Sequence, residues 1–220
     1  MDEVHEFCLR VLGPGTAADG ATREAREAPS TDRVASLAAA GRACRAVPGD
    51  EVPSNVSQGS AAGASLAGSV AGELAAATAK LPERQREALV LRELLGLAHE
   101  EISKVMGIEA AAVAPLLARA RLGLAAVRRG AGPERRRCAE RERALRGLAR
   151  RQDRESLSAN DDPWLLEHIA ACGDCDRAYA MMLEASACYR AWPVGDPPPT
   201  APPSEAPTSR ADAVDVRAMG

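Results

Sequence analysis

The chain has 220 residues, of which 46% are hydrophobic but only 2% aromatic, and a formal net charge of −3. Aromatic side chains bury the most area per residue, so this composition argues against one large core and for small helical units packed through Leu, Val and Ala. Little of the sequence alternates with a period of two, which predicts an all-α chain with no substantial sheet.

The net charge hides an asymmetry. Between Lys80 and Arg151 there are 17 Lys and Arg against 9 Asp and Glu, while the remainder carries 11 basic and 22 acidic residues. A basic block inside an acidic chain is the footprint of a nucleic-acid-binding segment or of a solvated helix surface. No run approaches the ~18–20 consecutive apolar residues of a membrane span, and Met1–Glu6 lacks the positive start of a signal peptide. A cytoplasmic setting without membrane contact is therefore expected. Six cysteines in such a setting stay reduced and point to metal binding or redox chemistry rather than a disulfide framework.

In chain order, residues 1–47 contain two short helical pieces, Val4–Leu12 and Arg33–Val47, separated by a Gly/Pro/Thr-rich stretch. Residues 48–65 have linker composition. Residues 66–130 read as helical throughout. Pro82 lies at a helix start and Gly96 at its end, where a left-handed cap is expected. Ala88, Leu91 and Leu95 form one apolar face between them. A short helix, His99–Met106, turns Ile102, Val105 and Met106 inward, and Gly107 supplies the tight turn. A longer helix from Ala110 to about Arg129 carries Val113, Leu117, Ala120 and Leu124 as a stripe. Two helices joined by a Gly turn, the second longer and Arg-bearing, describe a helix-turn-helix. Residues 134–192 hold a basic helix, Glu134–Arg151, and a second start at Asn160-Asp161-Asp162-Pro163. Residues 193–220 are Pro/Ala/Ser-rich, the composition of a disordered tail.

His168-Ile169-Ala170-Ala171-Cys172-Gly173-Asp174-Cys175 is H-x3-C-x2-C. On a helix these three positions share a face, and one imidazole with two thiolates makes three quarters of a tetrahedral Zn2+ site. Cys138, on the basic helix, is the leading fourth ligand, with Cys188 as runner-up and Cys8 and Cys44 remote. No nucleophile–base pair or phosphate loop appears, so an enzyme is not expected.

The run Leu81-Pro82-Glu83-Arg84-Gln85-Arg86-Glu87-Ala88-Leu89-Val90-Leu91-Arg92-Glu93-Leu94-Leu95-Gly96-Leu97, then His99-Glu100-Glu101-Ile102-Ser103-Lys104-Val105-Met106-Gly107-Ile108, and finally Ala118-Arg119-Ala120-Arg121, resembles region 4 of extracytoplasmic-function sigma factors of the sigma-70 family. The resemblance implies binding to the RNA polymerase core and to the −35 promoter element, with His99, Arg119 and Arg121 as DNA contacts. It departs from the family at Ala114-Pro115-Leu116, where the base-reading side chains should stand; Ala and Leu offer base edges no hydrogen bonds. Phe7–Gly13, Ala17–Ala25 and Arg33–Cys44 resemble, more loosely, a truncated region 2 without its first helix or its melting aromatics. Residues Cys138 to about Tyr189 resemble the zinc-binding anti-sigma domain. That likeness implies Cys138, His168, Cys172 and Cys175 as ligands, and docking in cis on region 4 or on a partner's sigma regions. Two functions follow. One is a sigma-like regulator modulated by a fused zinc module; the other is a zinc-dependent, redox-sensing anti-sigma adaptor that binds proteins and not DNA.

Overall fold

The computed structural model describes residues 2–28, 30, 32–48, 66–130 and 138–192, with no account of the side chains of 66–71. The expected linker beyond Pro48, the start of the basic helix at 134–137 and the expected disordered tail, 193–220, lie outside the described residues. Among the described residues the regular elements are all helices, as anticipated: α1 (Glu3–Leu12), α2 (Thr16–Glu27), α3 (Arg33–Ala46), α4 (Leu66–Ala79), α5 (Glu83–Leu89), α6 (His99–Met106), α7 (Ala110–Arg128), α8 (Arg141–Gln152), α9 (Asp161–Ala171) and α10 (Gly173–Arg190).

Helix α2 replaces what the sequence presented as a Gly/Pro/Thr-rich separator. Its buried residues, Ala18, Ala21, Thr22 and Ala25, repeat at helical spacing, but a stripe of methyl groups is too weakly apolar to stand out from its surroundings. Asp2 and Asp32 cap α1 and α3 by accepting backbone N–H bonds from Val4 and Ala35, which sets the two ends that the sequence also marked.

In the helix-turn-helix the agreement is closer. α6 spans the predicted His99–Met106 and closes on Gly107, whose φ of 62° is left-handed. Gly96 has φ 69°, so both glycines occupy conformations that cost an L-residue energy. α5 continues into a π-helical turn, Val90–Leu94, where a uniform helix was expected; a π turn shifts the register of everything beyond it. Leu91 stays fully buried while Leu95 is only partly so. Pro82 sits just outside α5 rather than within its first turn.

By length and composition α7 is apolar enough to cross a bilayer. Here its Val113, Leu117, Ala120 and Leu124 are at 0% exposure in the main core, with Phe7, Leu37, Leu89, Leu91 and Ile102. Pro115 lies inside α7, where it removes the bond its N–H would have given the Ala111 carbonyl. Ala111 is exposed, so water can take up that carbonyl.

A second core lies on another side of the same helix. Ala114 and Ala118 of α7 are buried with Ala144, Leu145, Leu148 and Ala149 of α8, Leu165 of α9, and Cys175, Ala178 and Met182 of α10. α7 is thus a shared wall between the helix-turn-helix and the C-terminal helices. α10 also runs on to the N-terminal bundle, where Ala185 and Tyr189 enter the main core. There Trp192 meets Tyr189 edge-on, and the Arg10 guanidinium lies 3.8 Å over its ring.

Candidate functional site

Cys138, His168, Cys172 and Cys175 come together as the sequence spacing suggested, by a different route. α9 ends at Ala171, Cys172 is extended (φ −117°, ψ 94°), and α10 begins at Gly173. His168 and Cys175 therefore face each other across a break between two helices instead of sharing one continuous face. Cys138 lies in the turn before α8 and not on the helix itself. A helix break of this kind is invisible to helical spacing, which explains why the cluster was legible in the sequence and its geometry was not.

The four ligand atoms all lie within 4.8 Å of one another. His168 Nε2 is 3.4 Å from both Cys138 Sγ and Cys175 Sγ. Trp164 stacks on the His168 ring at 5.0 Å, and the Arg143 guanidinium lies 3.8 Å over the Trp164 ring. Burial, followed by the neighbouring thiols of Cys138 and Cys172, pushes the Cys175 thiol up to about 12. Cys172 moves the other way, lowered chiefly by the backbone N–H of Cys175. Three thiols and an imidazole packed this closely are a donor set that a divalent cation would hold as thiolates, because the cation offsets their mutual repulsion. Cys188, the runner-up ligand, is instead 2.8 Å from Arg128 Nη1. Cys8 and Cys44 are in the N-terminal bundle.

The three predicted DNA contacts are split. Arg119 is exposed, its nearest acid being Glu142 at 3.9 Å. His99 and Arg121 face inward: His99 is 7% exposed and Arg121 is at 0%. Both meet Asp153, the residue that ends α8. Arg121 donates from Nη2 to Asp153 Oδ1 at 2.6 Å and from Nε to Glu93 Oε1 at 2.8 Å. His99 Nε2 is 2.8 Å from Asp153 Oδ2, and Arg92 Nε donates to Oδ1 at 3.0 Å. Glu93 accepts further bonds from Ser186 and Arg190 of α10. Burial alone would raise Asp153, but His99, Arg121 and Arg92 prevail and hold it at about 2. Burial likewise works against the Arg121 charge, and the carboxylates of Asp153 and Glu93 overcome it and raise its pKa.

So two of the three side chains expected to touch DNA, His99 and Arg121, are engaged by Asp153 just after α8, and Arg121 also by Glu93. Glu155 completes the clamp by accepting the His99 backbone N–H at 3.1 Å, placing negative charge at the N-terminus of α6 where the helix dipole favours it. Asp153, Glu155, Ser186 and Arg190 carried no signal in the sequence. Their partners lie tens of residues away, and an isolated acid after a basic helix resembles any surface residue.

α5, α6 and α7 are arranged as a helix-turn-helix. Residues 71–124 match the family model for sigma-70, region 4, a stretch that takes in α5, α6 and most of α7. No curated protein and no solved structure matches the chain.

Proposed function

We propose that the chain is a transcription regulator of the extracytoplasmic-function sigma type, acting in the cytoplasm. Its region 4 is held in a closed state by a fused zinc-binding module, residues 134–192. The observation that carries this reading is the occupation of α7. Ala114 and Ala118 stand on the recognition helix, and they are buried against α8 and α10, with Arg121 locked by Asp153 beside them. Small residues at these positions let α8 approach closely. Ala114, which stands where the family pattern has a base-reading group, is one of the residues that make room for the module.

Zinc is the ion that suits the donor set. Around a tetrahedral ion with Zn–S near 2.3 Å and Zn–N near 2.0–2.1 Å, neighbouring S and N atoms stand roughly 3.5 Å apart, close to the 3.4 Å spacings at His168. Bound there, zinc would tie the turn before α8 to the break between α9 and α10, and so fix the surface that covers α7. A four-ligand site leaves no open position, so the role is structural rather than catalytic. By likeness to anti-sigma zinc domains, the module acts in cis on region 4 or in trans on a partner.

A second reading has a specific observation behind it. Ala114 is buried and, with Leu116, has no hydrogen-bonding side chain, which favours a protein-binding adaptor that no longer reads DNA. Fluorescence anisotropy of the zinc-loaded full chain on a −35-type duplex and on its scrambled counterpart, with and without core RNA polymerase, separates the two. Sequence-selective, salt-dependent binding supports the regulator. Capture of core polymerase or a sigma factor with no selectivity between duplexes supports the adaptor.

A further inference from the structure

Of the four side chains in the Cys/His cluster, His168 alone is a ring whose orientation decides which atom it offers. It is half-buried on α9, and rotation about the second side-chain torsion of a histidine is soft and roughly two-fold. Turning the ring over would put Cε1 where Nε2 now stands, 3.4 Å from Cys138 Sγ and from Cys175 Sγ. Metal-binding imidazoles are usually held against such rotation by a hydrogen bond from the other ring nitrogen to a carboxylate or a carbonyl. Among the described residues the ring's hydrogen-bond partners are those two thiols, both at Nε2, and Nδ1 has no such restraint. What meets the ring is Trp164, one turn earlier on α9, stacked on it with centroids 5.0 Å apart and planes 21° apart.

The indole is itself fixed. The Arg143 guanidinium lies 3.8 Å over it, and Arg143 Nη2 also donates to Asp161 Oδ1 at 2.9 Å. One side chain of α8 thus grips both the start of α9 and the ring one turn further on. Leu165, next to Trp164, is at 0% exposure, and a Cβ on Gly147 of α8 would stand 3.0 Å from Leu165 Cδ2. The two helices therefore pack there as closely as a glycine allows.

We propose that Trp164, anchored by Arg143, is the positioning residue of the cluster: its ring plane sets the plane of the His168 imidazole, so that Nε2 is the atom presented to a divalent cation. The inference rests on the zinc reading given above. The stack restricts the ring before any ion arrives, so binding loses less rotational freedom at His168, and affinity rises by preorganisation. It also ties the ligand to α8, whose Ala144, Leu145, Leu148 and Ala149 are buried with Ala114 and Ala118 of α7. Cys138 joins the cluster just before α8, and His168 reaches that helix through Trp164 and Arg143, so the cluster is linked to α8 at two points.

The test measures zinc affinity of the full chain by competition with a chelating indicator, and absorption of the Co2+-loaded chain. Trp164→Phe keeps a stacking ring and should bind zinc within about threefold of wild type, with the Co2+ bands unmoved. Trp164→Leu keeps apolar bulk without a ring plane; it should bind zinc about 10–100-fold more weakly, with the Co2+ d–d bands shifted. Arg143→Leu should weaken the wild type on the order of threefold and add nothing to Trp164→Leu, because it acts through the indole. Wild-type affinity and Co2+ bands in Trp164→Leu would overturn the proposal and leave the zinc site standing. Equal weakening in the Phe and Leu variants would do the same, since it reduces Trp164 to packing. A wild-type chain that takes up no zinc would remove the zinc reading and this inference together. The wild type also decides without any variant: 15N NMR of the zinc-loaded chain should show the His168 imidazole bound at Nε2 and protonated at Nδ1, and ligation through Nδ1 overturns the proposal.

Discussion

Replacing Asp153 tests the clamp between α8 and the helix-turn-helix. In the native chain its carboxylate is buried and bonded to Arg121, His99 and Arg92, and its pKa falls from 3.8 to about 2. A depression of that size corresponds to about 2–3 kcal/mol of stability at neutral pH. Because folding lowers the pKa, the unfolded chain binds more protons than the folded one between about pH 4 and pH 2. Stability is fully present above that window and is lost as the pH falls through it. Asp153→Asn keeps the shape and removes the charge, so it should lose about 2–3 kcal/mol at pH 7 and flatten the acid dependence. Asp153→Ala should cost more, about 3–5 kcal/mol, because it leaves the guanidinium of Arg121 buried with Glu93 as its remaining acid. Urea denaturation followed by circular dichroism at pH 7, 4 and 2.5 measures both. An Asn variant within about 0.5 kcal/mol of wild type, with an unchanged acid slope, would refute the reasoning.

The other expectations concern the metal, the turn and the recognition helix. His168→Ala and Cys172→Ser should each lose bound zinc by elemental analysis and lower Tm, and chelation should lower the wild-type Tm to match; one equivalent of zinc retained in both variants would remove the metal site. Gly107→Ala places a Cβ at φ 62° and should destabilise the chain by about 1–2 kcal/mol, read as a Tm decrease. Ala118→Leu adds bulk at a fully buried contact of α7 and should cost about 1–3 kcal/mol, with faster amide exchange in α8. Arg119→Ala should change stability by less than about 0.5 kcal/mol, since its ion pair with Glu142 is half exposed and long; any duplex binding should nonetheless weaken.

The sequence yielded most where local chemistry decides structure. Gly96 and Gly107 marked the turns of the helix-turn-helix, and the stripe Val113, Leu117, Ala120 and Leu124 marked the face of α7 that is now core. The H-x3-C-x2-C spacing, with Cys138 placed ahead of Cys188, picked out four side chains that lie close together and could hold a metal ion. What stayed hidden depends on contacts between distant segments. α2 packs through alanines and a threonine. The extended Cys172 breaks a helix that periodicity would have continued. His99 and Arg121 are buried where Asp153, Glu93 and Glu155 reach them, and no pattern along the chain announces such a pairing. The departure from the family pattern at Ala114 and Leu116 was visible, whereas the burial of Ala114 against α8 depends on a segment some thirty residues away.

The central claim is that the C-terminal module covers the recognition helix, and it is tested most directly by opening that contact from the module's side. Ala149 of α8 is fully buried beside Ala114 and Ala118, so Ala149→Arg drives a charge into the interface and leaves region 4 itself unaltered. Binding of the full chain to core RNA polymerase and to a −35-type duplex would be titrated for wild type and variant at fixed salt. The closed arrangement predicts at least a tenfold gain in affinity for one of these partners in Ala149→Arg, with far-UV circular dichroism unchanged. Equal affinity for both partners in a folded variant whose α8 amides exchange faster would contradict it.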